Sequence, residues 1–164
     1  MKVKNVIHED YVNYKRPSMF IASPMCDFKC CPEDHKVCHN NPLINGETIE
    51  IDTEELVDKF LHNKLTEAVI FSGLEPLYNN ETISEMKEFI RLLRKKEDTK
   101  HMVVIYTGYT EDEAREKDND LFSNPLYRPM VVKFGRYKSN NTSYFNKILG
   151  ITLASDNQYA LEFD

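Results

Sequence analysis

Every cysteine of this 164-residue chain lies between positions 26 and 38, as Cys26, Cys30, Cys31 and Cys38 within "MCDFKCCPEDHKVCHN". Clustered thiols of this kind suit soft metals, and two metal chemistries fit the count. Cys26, Cys30 and Cys38 offer three thiolates to a 4Fe-4S cluster, leaving one iron without a protein ligand; the four cysteines with His35 and His39 offer a closed zinc site. A redox dithiol, or small thiols buried as apolar residues, are the remaining readings.

Composition narrows the setting. The formal charge of -6 and pI near 5.4 offer no Lys/Arg excess to track phosphates, so nucleic acid is not expected as a partner. No apolar run approaches the roughly 20 residues that cross a bilayer, and the opening "MKVKNVIHEDYVNYKR" lacks a signal peptide's apolar stretch. The expectation is a cytoplasmic protein with no membrane partner. In that reducing compartment, closely spaced thiols point to metal or redox chemistry rather than to a disulfide scaffold.

The elements that must position the thiols alternate between strand and helix. "SMFIAS" (18–23), "EAVIFSG" (67–73), "HMVVIYTG" (101–108) and "PMVVKF" (129–134) are short apolar runs of the kind buried in parallel sheets. Between them, 52–63 places Leu56, Phe60 and Leu61 on one helical face. The stretch 80–96 repeats Ile83, Met86, Ile90 and Leu93, with Thr82 and Glu85 as a capping-box pair, and 110–119 reads as a polar helix. This predicts a single α/β domain over 1–164 with a mostly parallel sheet. Residues 135–147 show no period and read as a surface loop, while the tail supplies a last strand or packs across the sheet. The cysteine loop after residue 23, "SGLEP" after residue 71 and "TGY" after residue 106 would emerge at one sheet edge, where ligands of α/β folds gather. In "FSGLEPLYN" (71–79), Gly73 exposes backbone and Glu75 offers a carboxylate to an amino group, although Gly and Pro also make a plain strand-ending turn.

Taken together, these segments resemble the radical S-adenosylmethionine enzymes, in particular the small activating proteins of anaerobic (class III) ribonucleotide reductases. "CDFKC" and "CHN" match that family's cysteine loop, and "SGLEP" its Gly-Gly-Glu/Asp-Pro turn. "YTGYT" (106–110) and "ASDNQ" (154–158) match its Thr-Gly-Tyr and Ser-Asn-Gln segments. Two departures stand out. Seven residues, "CPEDHKV", replace the usual two before the third cysteine, and Leu74 replaces a glycine. The flanking residues favour Cys38 as third ligand, with Cys31 a buried thiol or a substitute.

The resemblance implies a partial (β/α) radical-SAM barrel holding a 4Fe-4S cluster on Cys26, Cys30 and Cys38. It implies S-adenosyl-L-methionine as the second cofactor, approached by the Gly73 backbone, held at its amino group by Glu75, and bordered at its adenosine by Thr107 and Tyr109. The implied reaction is reductive cleavage to a 5'-deoxyadenosyl radical, which takes a hydrogen from a glycine of the partner reductase. An external one-electron donor such as flavodoxin is the other implied partner. Asn157 and Gln158 would contact nucleoside, partner or solvent, and Lys133 a carboxylate or solvent. Another radical substrate, or a zinc-binding interaction module, is the alternative.

Overall fold

The computed structural model describes residues 1–31 and 38–164, so His35 of the zinc alternative lies outside the described residues. In chain order the elements are β1 (Lys2–Val3), β2 (Asn5–Asp10), β3 (Ser18–Ala22), α1 (Asn41–Ile44), β4 (Ile49–Glu50), α2 (Thr53–His62), β5 (Ala68–Ser72) and α3 (Asn80–Lys96). They continue through β6 (Met102–Tyr106), α4 (Glu111–Lys117), α5 (Asn119–Ser123), β7 (Met130–Phe134), β8 (Tyr144–Asn146), β9 (Ile151–Leu153) and β10 (Tyr159–Phe163).

Six strands form one sheet in the order β10-β7-β6-β5-β3-β2. Its four middle strands, β3, β5, β6 and β7, run parallel, each new one adding beside the last. The edges β2 and β10 pair antiparallel. The fold is therefore α/β with a mixed, mostly parallel sheet, and β10 is the last strand offered by the tail. β2, within a segment without clear alternation, is one the sequence pattern does not mark.

Period-2 alternation divides the sheet's apolar residues between two cores. Met19, Ile21, Val69, Phe71, Val103 and Ile105 face α2, α3 and the α4–α5 segment, with Phe71 and Phe89 edge to face at 5.4 Å. Phe20, Ala22, Ile70, Val104 and Val131 face the other way, onto Tyr14, Leu149 and Leu153. Burial on both faces is why these strands read as unbroken apolar runs.

Residues 135–147 do not form a bare surface loop. They lead into the hairpin β8–β9, whose register Tyr144↔Leu153 to Asn146↔Ile151 places it across the second face. The Lys15 amide donates to the Leu149 carbonyl at 2.8 Å and so ties the hairpin to the β2–β3 loop.

The cap of α3 also differs from expectation. Asn79 is the N-cap: its side chain accepts from the Thr82 amide at 2.9 Å, while Thr82 Oγ1 accepts from the Asn79 amide at 3.2 Å. Glu85 is drawn away, accepting from the Lys2 amide at 3.0 Å. Asparagine caps as well as Ser or Thr, so the competing Asn one turn earlier wins. No helix among the described residues is long and apolar enough to cross a membrane.

Candidate iron-sulfur site

Because β3, β5, β6 and β7 are parallel and in register, their carboxyl ends reach one edge, and the segments following them meet there. They border a cavity of about 360 Å³. Cys26, Cys30, Cys31 and Cys38 line it together with Gly73, Glu75, Thr107 and Lys133. The proposed ligand and cofactor positions thus converge from separate parts of the chain. Among the described residues, no three His, Cys, Asp or Glu side chains converge on a point that would hold a single metal ion.

The cysteine loop is held on three sides. Phe28 takes a left-handed φ of 53°, which turns the chain so that the Cys31 amide donates to the Phe28 carbonyl at 2.9 Å. The Glu75 amide donates to the Met25 carbonyl at 2.8 Å, and the Tyr109 hydroxyl to Asp27 Oδ2 at 2.9 Å. Two main-chain amides point at sulfur: Phe28 N–H at Cys26 Sγ, 3.3 Å, and Asn40 N–H at Cys38 Sγ, 3.4 Å. Such donors set the potential of a thiolate-held cluster. Burial, reinforced by the charges of Glu75 and Asp27, pushes the Cys26 thiol up to about 12; burial and the neighbouring Cys30 do the same to Cys31. Cys30 is raised too, chiefly by burial. Without metal, burial favours the protonated thiols of Cys26, Cys30 and Cys31, and a metal must displace the protons of the thiols it binds.

Glu75 is the polar centre of the site. Only 5% exposed, it accepts at Oε1 from the Thr107 hydroxyl (2.8 Å) and the Leu77 amide (3.0 Å), and at Oε2 from the Gly108 amide (2.7 Å). Burial raises its pKa while these donors oppose the shift. A carboxylate has roughly four lone-pair positions, so one remains for a ligand. Glu75 therefore clasps the ends of β5 and β6 as well as facing the cavity.

Gly73 is required by the backbone. Its φ is +80°, and an added Cβ would stand 2.9 Å from Leu43 Cδ1, 3.0 Å from Ala22 Cβ and 3.1 Å from Ala22 Cα. Gly73→Ala is expected to destabilise the protein by about 2 to 4 kcal/mol, through left-handed strain and overpacking. The denaturant midpoint measures it, and an unchanged midpoint would show that the turn relaxes freely.

The comparisons bear on this site. The model of a family described as a 4Fe-4S single cluster domain matches residues 16–148, well over half of the chain and including all four cysteines. This chain belongs to that family. No curated protein and no solved structure matches it.

A 4Fe-4S single cluster domain needs clustered thiols with no competing disulfide, and the site fits. All four cysteines are free, and each borders the cavity. His39, counted in the zinc alternative, also lines the cavity but packs its ring edge-on against Tyr137, 4.5 Å between centroids. Thr107 lines the cavity, whereas Tyr109 is 3% exposed, bonded to Asp27, and sits behind the loop as an anchor. Gln158 is buried at the wall, donating to the Gly135 carbonyl at 3.2 Å, while Asn157 holds the Arg136 carbonyl at 2.9 Å.

Lys133 is not a solvated strand-end lysine. It is 7% exposed, lines the cavity, and donates to the carbonyls of Gly135 (2.8 Å) and Thr107 (3.4 Å). It has no ion-pair partner among the described residues, and burial lowers its pKa to about 8. The unfolded chain therefore binds a proton that the folded one releases between about pH 8 and 10.5, and within that window Lys133 contributes stability that grows with pH. The difference in unfolding free energy between wild type and Lys133→Met is expected to shift by about 3 kcal/mol toward wild type across the window. A difference flat with pH would mean that the ammonium is solvated.

Sequence reasoning missed the far wall, made by Asn13, Tyr137 and the β9 residues Ile151, Thr152 and Leu153. The alternation of Tyr144 with Asn146 and of Ile151 with Leu153 about Gly150 was the available signal.

Proposed function

We propose that this chain is a radical S-adenosylmethionine activating enzyme that generates a glycyl radical on an anaerobic ribonucleotide reductase. In this reading the four consecutive parallel strands are the winding of a partial (β/α) barrel. The cluster supplies one electron that cleaves the cofactor's sulfonium bond.

One observation carries the reading: a buried carboxylate and a buried ammonium, Glu75 and Lys133, face the same cavity as the thiols without pairing with each other. Their charges complement the ammonium and carboxylate of an α-amino acid. Glu75 has one acceptor position left, and among the described residues Lys133 bonds neutral carbonyls, which an anionic partner can outcompete. Gly73 brings backbone to the cavity without a side chain, and the Thr107 hydroxyl fixes the Glu75 carboxylate. The β9 strand of the hairpin walls one side of the site with Ile151 and Leu153.

Anaerobically reconstituted protein is expected to bind about four irons. With S-adenosylmethionine and dithionite it should release 5'-deoxyadenosine; with the reductase it should yield a glycyl-radical doublet in the electron paramagnetic resonance spectrum. Cleavage without the doublet would retain the enzyme class and move the hydrogen donor to another substrate. Four irons without cleavage would overturn the proposal. A single tight zinc would favour an interaction module.

A further inference from the structure

The fourth cysteine has no place in a three-thiolate cluster, yet it is the most buried of the four. Cys31 is 3% exposed, lines the same cavity, and its Sγ lies 3.8 Å from that of Cys30. The Cys38 thiol neighbours it as well. Among the described residues its sulfur is partnered by these other thiols, whereas Cys26 and Cys38 each accept a main-chain amide. Cys31 belongs to neither of the two apolar cores on the sheet faces. The 3.8 Å contact with Cys30 is a thiol pair in the metal-free loop, and rotation about single bonds separates the two sulfurs.

We propose that Cys31 is a fourth cluster ligand, closing in the resting protein the iron that the other three cysteines leave open. This rests on the function proposed above for what displaces it. In the exchange, the iron–sulfur bond to Cys31 breaks, and the cofactor's amino nitrogen forms the new bond to that iron. The proton this nitrogen must shed goes to the departing Cys31 sulfur, so no oxidant or reductant is consumed. Cys31 would thereby protect an open iron from adventitious ligands until the cofactor arrives.

The test compares wild type with Cys31→Ala, both reconstituted anaerobically, with iron counted first. Cys31→Ala should retain about four irons on its three remaining thiolates. The reduced cluster is then exposed to cyanide without S-adenosylmethionine. Cyanide should shift the electron paramagnetic resonance spectrum of Cys31→Ala and leave that of wild type unchanged. If the iron is capped in about nine molecules of ten, S-adenosylmethionine should bind Cys31→Ala roughly tenfold more tightly than wild type. Equal cyanide response in the two proteins would overturn the proposal. Loss of the cluster from Cys31→Ala with retention in Cys38→Ala would overturn it as well, making Cys31 one of the three obligatory ligands. If cyanide discriminates as expected but S-adenosylmethionine perturbs neither spectrum, Cys31 stands as the capping ligand and the proposed function fails.

Discussion

Replacing Cys26, Cys30 or Cys38 with alanine is expected to leave a folded protein that holds fewer than about one iron per chain and has lost over a hundredfold of any cluster-dependent activity. The fold survives because these three side chains are only partly buried and lie on a loop past β3, outside both cores. Cys26 and Cys38 each lose an amide contact to sulfur, whose half-buried N–H can turn to water, and Cys30 loses its contact with the Cys31 sulfur. The cluster does not survive, because only two of the three obligatory thiolates remain, and the capping bond of Cys31 is one that an incoming ligand displaces. Iron analysis and far-ultraviolet circular dichroism separate the effects. A Cys38→Ala protein that kept four irons would move the third ligand to Cys31.

Glu75→Ala carries the second large effect, and it has two parts. The carboxylate occupies three donors, so its removal orphans the buried Leu77 amide and Thr107 hydroxyl as well as the half-buried Gly108 amide. Unpaired buried donors cost about 1 to 3 kcal/mol each, so the Leu77 amide and the Thr107 hydroxyl alone predict roughly 2 to 6 kcal/mol of lost stability. On the proposed function the variant also loses a charge-assisted bond to an ammonium, weakening S-adenosylmethionine binding about ten- to a hundredfold. Thr107→Val separates the parts, since it removes one donor to Glu75 and leaves the carboxylate in place. Because Thr107 Oγ1 also accepts from the buried Tyr109 amide at 3.0 Å, this variant should lose about 1 to 3 kcal/mol by chemical denaturation, less than Glu75→Ala, and a smaller share of the affinity by anaerobic titration. Glu75→Ala with wild-type stability would contradict the clasp seen here; wild-type affinity would make "SGLEP" a strand-ending turn.

The consequences of Glu75 show where sequence and fold divide. The residue was legible as a carboxylate beyond a buried strand, because an apolar run ending in Gly and Pro marks that position locally. Its second role was not legible: Thr107 and Gly108 are over thirty positions away, and only the parallel pairing of β5 with β6 brings their donors to it. Lys133 shows the same division. Its place at a strand end follows from "PMVVKF", but whether a lysine there is solvated depends on what covers it. The carbonyls of Thr107 and Gly135 hold it, and the β9 strand walls the cavity it lines, from a stretch whose weak alternation reads as a loop.

By itself, the sequence determined the four parallel strands, their helices and the clustering of the thiols. These rest on periodicity and on neighbours a few residues apart, which any chain carries in its own order. It also placed three loops at one sheet edge, since parallel strands joined by helices must end on the same side. Only the tertiary structure decided that Tyr109 anchors the cysteine loop, that Asn79 rather than Glu85 completes the cap of α3, and that Cys31 is buried against its fellow thiols. Each of these is a competition among partners of similar chemistry, and side chains of one kind are told apart by distance and burial, which a linear order of residues does not contain.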